Sequence, residues 1–283
     1  MRLATFLPPG SGTPRAGVVR DGRVSAFADE RLTVLDILCA QGTAANGGSA
    51  HDASAKGHPA SGAPSEDGNP SWALEEVTLL APVPAPRAIF GIGLNYADHV
   101  AEMGGQTPER PLVFMKLPSS AAAPGAPVRC PAVVRRLDYE GELAVVIGAG
   151  GQVAGYAVAD DVSARDLQGR EPQWTRAKGA DGFCPYGPWI TTADEVPDPH
   201  DLWLRTWVNS ELRQDSSTSN LIFKIPELVA FIGETCTLHP GDLILTGTPS
   251  GVGMGLDPPS FLASGDVVRI EIERLGAIEH GIA

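Results

Sequence analysis

The chain is short of positive charge, of long apolar runs and of paired cysteines, and each shortage excludes something. Twenty-one Lys and Arg stand against 34 Asp and Glu, a formal net charge of −13. A surface of that sign is not built to neutralise phosphates by counterion release, which argues against nucleic acid as a partner. The strongest apolar stretches, Leu143 to Ile147 and Leu243 to Leu245, fall far below the roughly 18 residues of a membrane-spanning helix, so no membrane association is expected. Cys39, Cys130, Cys184 and Cys236 lack C-x-x-C spacing, which removes a zinc knuckle and a disulfide framework and suits a reducing compartment. The opening MRLATFLPPGSG has no sustained apolar core, so we expect a cytoplasmic protein. There is no G-x-S-x-G nucleophile elbow. No third glycine follows Gly91-Ile92-Gly93 at the spacing of a dinucleotide fingerprint, and no fixed-period repeat marks a propeller or solenoid.

What the chain has in excess is glycine and proline. The 33 Gly and 25 Pro make about one residue in five, against a usual share of roughly 12%, which disfavours long helices. With 43% hydrophobic residues the chain is long enough to bury a sizeable core as one large domain or two unequal ones. Ala16 to Arg20 and Arg23 to Phe27 flank Asp21-Gly22, a hairpin signal. Thr33 to Leu38 has helical apolar spacing. Residues 1–40 therefore read as a small N-terminal α/β unit, and 41–70, rich in Gly, Ala, Ser and Pro, as a linker. His51 and His58 lie in that linker without preformed ligand geometry. Residues 71–283 read as a β-rich domain with few helices, giving an α+β fold overall.

Acidic residues cluster where strands should end. Glu140 and Glu142 precede Leu143 to Ile147, and side chains two apart on a strand share a face. A solvated strand end explains them as simply as a cation site does. Asp160-Asp161, closing the run Gly155 to Ala159, shifts the balance, because three converging carboxylates offer hard oxygen ligands for Mg²⁺, Mn²⁺ or Ca²⁺. Upstream, a strand ending in Gly91-Ile92-Gly93 leads to a helix that Asn95 is expected to cap. That helix puts His99 and Glu102 on one face, where a carboxylate would orient an imidazole for general-base work. Surface placement of both residues is the alternative. His200, His239 and His280 sit in polar, turn-rich sequence and are expected at the surface.

Together these segments resemble the fumarylacetoacetate hydrolase family. The matching blocks, in order, are GIGLNYADHVAE (91–102), PLVFMKLPSS (111–120), DYEGELAVVIG (138–148), GYAVADDVSARDLQ (155–168), KGADGFCPYGPWI (178–190), VNSELRQ (208–214) and PGDLILTGTPSGVG (240–253). The resemblance implies a mixed β-sandwich roll behind a small N-terminal domain, and a homodimer. It implies Mg²⁺ or Mn²⁺ on Glu140, Glu142 and Asp161, a water-activating pair His99–Glu102, and Lys178 as oxyanion or carboxylate partner. Arg165, Gln168 and Thr248 would line the substrate site, and Lys116 would be either structural or substrate-facing. The implied activity is metal-dependent hydrolysis of a carbon–carbon bond in an acylpyruvate-like β-diketo acid through a pyruvate enolate. The alternatives are decarboxylation, isomerisation or hydration of 2-keto or 2-hydroxy-dienoate acids, and an inactive binding protein. The chain departs from the family at Gly179, Ala180 and Ser210, where members often carry Ser, Phe and Gly. Ser210 falls at a turn, where losing Gly restricts positive φ.

Overall fold

The computed structural model describes residues 1–40, 63–64 and 68–283; most of the expected linker, with His51 and His58, lies outside them. In chain order the N-terminal segment gives β1 (Arg2–Leu7), β2 (Arg15–Arg20), β3 (Arg23–Ala26) and α1 (Val34–Ala40). Next come β4 (Ala63–Pro64), β5 (Pro70–Ala73), β6 (Thr78–Leu79), β7 (Ile89–Gly93), α2 (Ala97–Glu102), β8 (Leu112–Lys116) and β9 (Ala121–Ala122). The centre holds β10 (Leu137–Asp138), β11 (Gly141–Ile147), β12 (Val153–Asp160), β13 (Ser163–Ala164), α3 (Arg165–Gln168), α4 (Thr175–Lys178) and β14 (Cys184–Thr192). The chain closes with β15 (Trp203–Val208), β16 (Glu211–Ser217), α5 (Ile225–Gly233), β17 (Leu243–Leu245), β18 (Val267–Ile272) and β19 (Gly276–Gly281).

The strands form a 13-stranded sheet whose main path runs β4-β5-β3-β2-β1-β14-β12-β11-β17-β7-β8, a four-stranded sheet β16-β15-β18-β19, and the pair β10-β13. This is the mixed, sheet-rich α+β fold expected from the sequence. Among the described residues no helix is long and apolar enough to cross a membrane.

The apolar run of β11 is explained by its place between β12 and β17, where both of its faces are covered. Leu143, Val145 and Ile147 enter one core with β15, β18 and α5 residues such as Leu204, Ile270 and Leu228. Ala144 and Val146 enter another with Val34 and Leu38 of α1, as a period of two requires. The Asp21-Gly22 hairpin forms as expected, both residues at positive φ (46° and 73°).

Register decides where the acidic residues meet. The β11–β12 hairpin pairs Gly141 with Asp160 and Glu142 with Ala159, so Glu140 and Glu142 at its start face Asp161 just past its end. β17 runs antiparallel to β11 and parallel to β7. The loop after β17 and the turn into α2 therefore leave the sheet at the same end as the carboxylates.

Candidate metal centre and active site

Oxygen atoms of Glu140, Glu142 and Asp161 lie within 4.8 Å of one another, and all three residues are buried. Lys178 donates from Nζ to Glu140 Oε2 at 2.6 Å and to Asp161 Oδ2 at 2.7 Å. Arg165 Nη1 pairs with Glu140 Oε1 at 2.6 Å, while its Nε donates to Asp138 Oδ2 at 2.8 Å. Burial alone would raise Glu140, but the Lys178 ammonium and Arg165 guanidinium outweigh it and hold the carboxyl well below its usual range. Glu142 differs. Among the described residues it joins no ion pair, and its Oε2 accepts only the Gly247 N–H, at 2.7 Å. Burial, reinforced by Asp161 and Glu140, pushes it well above the usual carboxylate value. The donor set thus fits a hard divalent cation: three carboxylates, one of them lacking a counter-charge.

Of the two readings of Lys116, its contacts favour the structural one. Its fully buried ammonium donates to Asp161 Oδ1 at 2.5 Å, to Val162 O at 3.4 Å and to the Lys178 carbonyl, so its three protons are spent behind the centre. Burial alone would make Lys178 less basic, but Asp161 and Glu140 reverse this and keep it an ammonium.

His99 Nδ1 lies 3.1 Å from Glu102 Oε2 across one turn of α2. The helix starts from Tyr96 rather than Asn95, and without a side-chain cap. Asn95 is instead a buried tie: its Nδ2 donates to Phe223 O and Thr246 O, and its Oδ1 accepts the Phe223 N–H. The loop after β17 fixes three carboxylates through backbone amides. The Gly247 N–H serves Glu142, the Gly251 N–H serves Glu102 at 2.8 Å, and the Gly253 and Met254 N–H groups serve Asp138 at 2.8 and 3.0 Å. At Gly251 (φ +97°) a Cβ would collide with the Arg213 carbonyl, so the close approach requires glycine.

A cavity of about 410 Å³ gathers His99, Glu140, Glu142, Arg165, Gln168, Lys178 and Thr248. Asp161 and Glu102 stand behind that lining and act on it through Lys178 and His99. Gln168 Oε1 accepts from Arg165 Nη1 at 3.0 Å. The Thr248 hydroxyl donates to Gly141 O and accepts from Gln214. Arg165 Nη2 is buried with no partner and is a donor left for a ligand oxygen. Leu94, Phe114 and Trp174 close the apolar side; Phe114 meets Trp174 edge-on at 5.5 Å and lies under the Lys178 ammonium at 5.1 Å.

Sequence reasoning gave Asp138 no role, counted Asp160 only as an acidic neighbour of Asp161, and missed these aromatic walls. It also misplaced His280, which is buried on β19 with Nε2 2.9 Å from Asp160 Oδ2. The misleading signal was a turn-rich C-terminus; the usable one was alternation, since Ile278, His280 and Ile282 are all buried. His239 is exposed as expected, and His200 is half-buried, its Nε2 accepting the Ile225 N–H.

A mixed-sheet fold that carries a buried oxygen-donor cluster, two cations and a His–Glu pair around one cavity has the arrangement of an enzyme site. The model for the fumarylacetoacetate (FAA) hydrolase C-terminal region matches residues 88–283, and the chain belongs to the fumarylacetoacetate hydrolase family. It is 45% identical over 218 residues to the mitochondrial oxaloacetate tautomerase fahd2 of Xenopus laevis, covering 73% of this chain and 68% of that one. Fumarylacetoacetate hydrolase from Exiguobacterium antarcticum superposes with a TM-score of 0.84 at 34% identity, covering 100% of this chain and 99% of that one. Maleylpyruvate hydrolase from Sphingobium sp. SYK-6, solved with manganese(II) and pyruvate, gives 0.75 at 30%, with 100% and 99% covered.

Proposed function

We propose that the chain is a divalent-metal-dependent enzyme that interconverts the keto and enol forms of a 2-oxo acid, oxaloacetate being the substrate its tautomerase relative suggests. The carrying observation is that His99, paired with Glu102, opens onto the same cavity as Glu140, Glu142, Lys178 and Arg165. Glu140, Glu142 and Asp161 would hold Mg²⁺ or Mn²⁺, which supplies positive charge where an enolate develops. Arg165 Nη2 and Lys178 bind substrate oxygens and favour the same charge. His99 moves the proton at C3, and Glu102 holds its ring in one tautomer.

The experiment is a stopped assay of enol-oxaloacetate decay with Mg²⁺ or Mn²⁺, with EDTA, and with His99→Asn. Metal-dependent acceleration lost in the variant is expected. Decay at the buffer rate in every metal would sink the reading.

Carbon–carbon hydrolysis of an acylpyruvate-like acid, foremost in the sequence-based expectation, stands as the second reading. Its support is the His99–Glu102 pair, which suits water activation, and the maleylpyruvate hydrolase neighbour. NMR of products from an acylpyruvate separates the two, since only hydrolysis yields pyruvate and a second acid.

A further inference from the structure

Glu140 is the residue on which both site cations converge, yet it lies in no strand: β10 ends at Asp138 and β11 begins at Gly141. Its backbone groups therefore have no ladder partners and must be satisfied otherwise. The dipeptide Asp160-Asp161 does this. Asp160 Oδ1 accepts the Glu140 N–H at 2.8 Å, and the Asp161 N–H donates to the Glu140 carbonyl at 2.9 Å. Whether Asp160 can hold that amide depends on its rotamer, and the only other contact on its carboxylate among those described is Oδ2 with His280 Nε2, at 2.9 Å. Both side chains are fully buried.

We propose that Asp160 and His280 are a positioning pair that fixes the Glu140 backbone, and through it the metal centre. The proposal rests on the reading of Glu140, Glu142 and Asp161 as a cation site. His280 Nδ1 is buried without a partner. A proton there would have no acceptor, so the ring carries its proton on Nε2 and donates it to Asp160 Oδ2. A bare ring nitrogen costs less than an orphaned N–H. The ring belongs to β19 of the four-stranded sheet, opposite Val268, while Asp160 ends β12 of the large sheet. The contact thus ties the centre to the second sheet from the side away from the cavity; neither residue lines it.

Partners behind metal ligands commonly set affinity by about 10–100-fold, and that is the loss expected for His280→Leu in a Mn²⁺ titration read by the EPR signal of the free ion. His280→Asn, which keeps an N–H donor, should recover most of it. Ile278→Ala, a buried apolar change on the same strand, should lower the melting temperature and leave the Mn²⁺ affinity at the wild-type value. Should His280→Leu not fold, Asp160→Asn takes its place: its amide turned to His280 forces the imidazole proton onto the orphan Nδ1, with the same direction of loss. Wild-type affinity in His280→Leu or Asp160→Asn, or an equal loss in Ile278→Ala, overturns the positioning pair and spares the cation site. Absence of Mn²⁺ binding by the wild-type chain overturns both.

Discussion

Glu142 carries the least compensated charge of the centre. Its folded-state pKa lies above its unfolded value, so the folded chain binds the extra proton between those values and loses stability as pH rises through that window. At pH 8 without metal the buried carboxyl, disfavoured as a charge where the unfolded chain ionises freely, is a penalty, and Glu142→Gln removes it. In EDTA at pH 8 the variant should melt above wild type, by about 2–4 °C for each kcal/mol relieved. With Mn²⁺ the order reverses, because only the wild type gains ligand stabilisation. A variant that melts lower in EDTA and still responds to Mn²⁺ would remove Glu142 from the centre. His99 tests a different function. His99→Asn should cut kcat by roughly 10²–10⁴ while changing Mn²⁺ affinity far less, since the His99 ring hydrogen-bonds Glu102 and none of the three carboxylates. An equal loss of metal binding would contradict that separation. Thiol chemistry offers a third check: burial pushes Cys184 up to about 12, so it should resist alkylation at pH 8 while exposed Cys39 and Cys236 react.

At the scale of elements, the sheet hairpins and the loop after β17 set geometry by backbone rather than by side chain. Asn209 and Ser210 turn β15 into β16 with φ of 50° and 68°, a conformation that costs a residue with a Cβ about 1 kcal/mol relative to glycine. Ser210→Gly should therefore stabilise the chain by roughly 0.5–1 kcal/mol in urea unfolding, and a loss of stability would show that the serine hydroxyl compensates. Gly251→Ala should do the opposite to catalysis, displacing the amide that holds Glu102 and lowering kcat without moving metal affinity. These elements also show what was legible. The unbroken apolar run of β11, the Asp-Gly turn and the Glu140/Asp161 convergence follow from local pattern and antiparallel register. Asn95 was misjudged because a residue before a helix is expected to cap it, and nothing local says that its amide binds Phe223 and Thr246, far along the chain. Asp160 and His280 escaped for the same reason: their pairing spans two sheets. At Gly179 the expected loop difference has a cause, since a Cβ there would press on Thr175 O and Leu117.

At the scale of the molecule, the net charge of −13 and a metal-loaded centre would pull an anionic substrate in opposite directions, because the cavity's own Lys178 and Arg165 are matched by Glu140 and Glu142. A dianionic 2-oxo acid approaching from beyond a Debye length, about 10 Å at 0.1 M salt, meets a repulsive surface. Inside the cavity it would meet Lys178, Arg165 and the divalent cation that offsets Glu140 and Glu142, all of which burial shields from that salt. Added salt therefore weakens the long-range repulsion more than the short-range attraction, the reverse of an electrostatically steered enzyme. Raising NaCl from about 20 to 200 mM at saturating metal should leave kcat/KM for oxaloacetate constant or raise it, with kcat unchanged. A fall of about tenfold would mean that the field at the cavity mouth is positive despite the total. The same reasoning predicts that a monoanionic 2-oxo acid responds less to salt than a dianion. The contrast between the two substrates in one titration isolates the global charge from any salt effect on the metal centre.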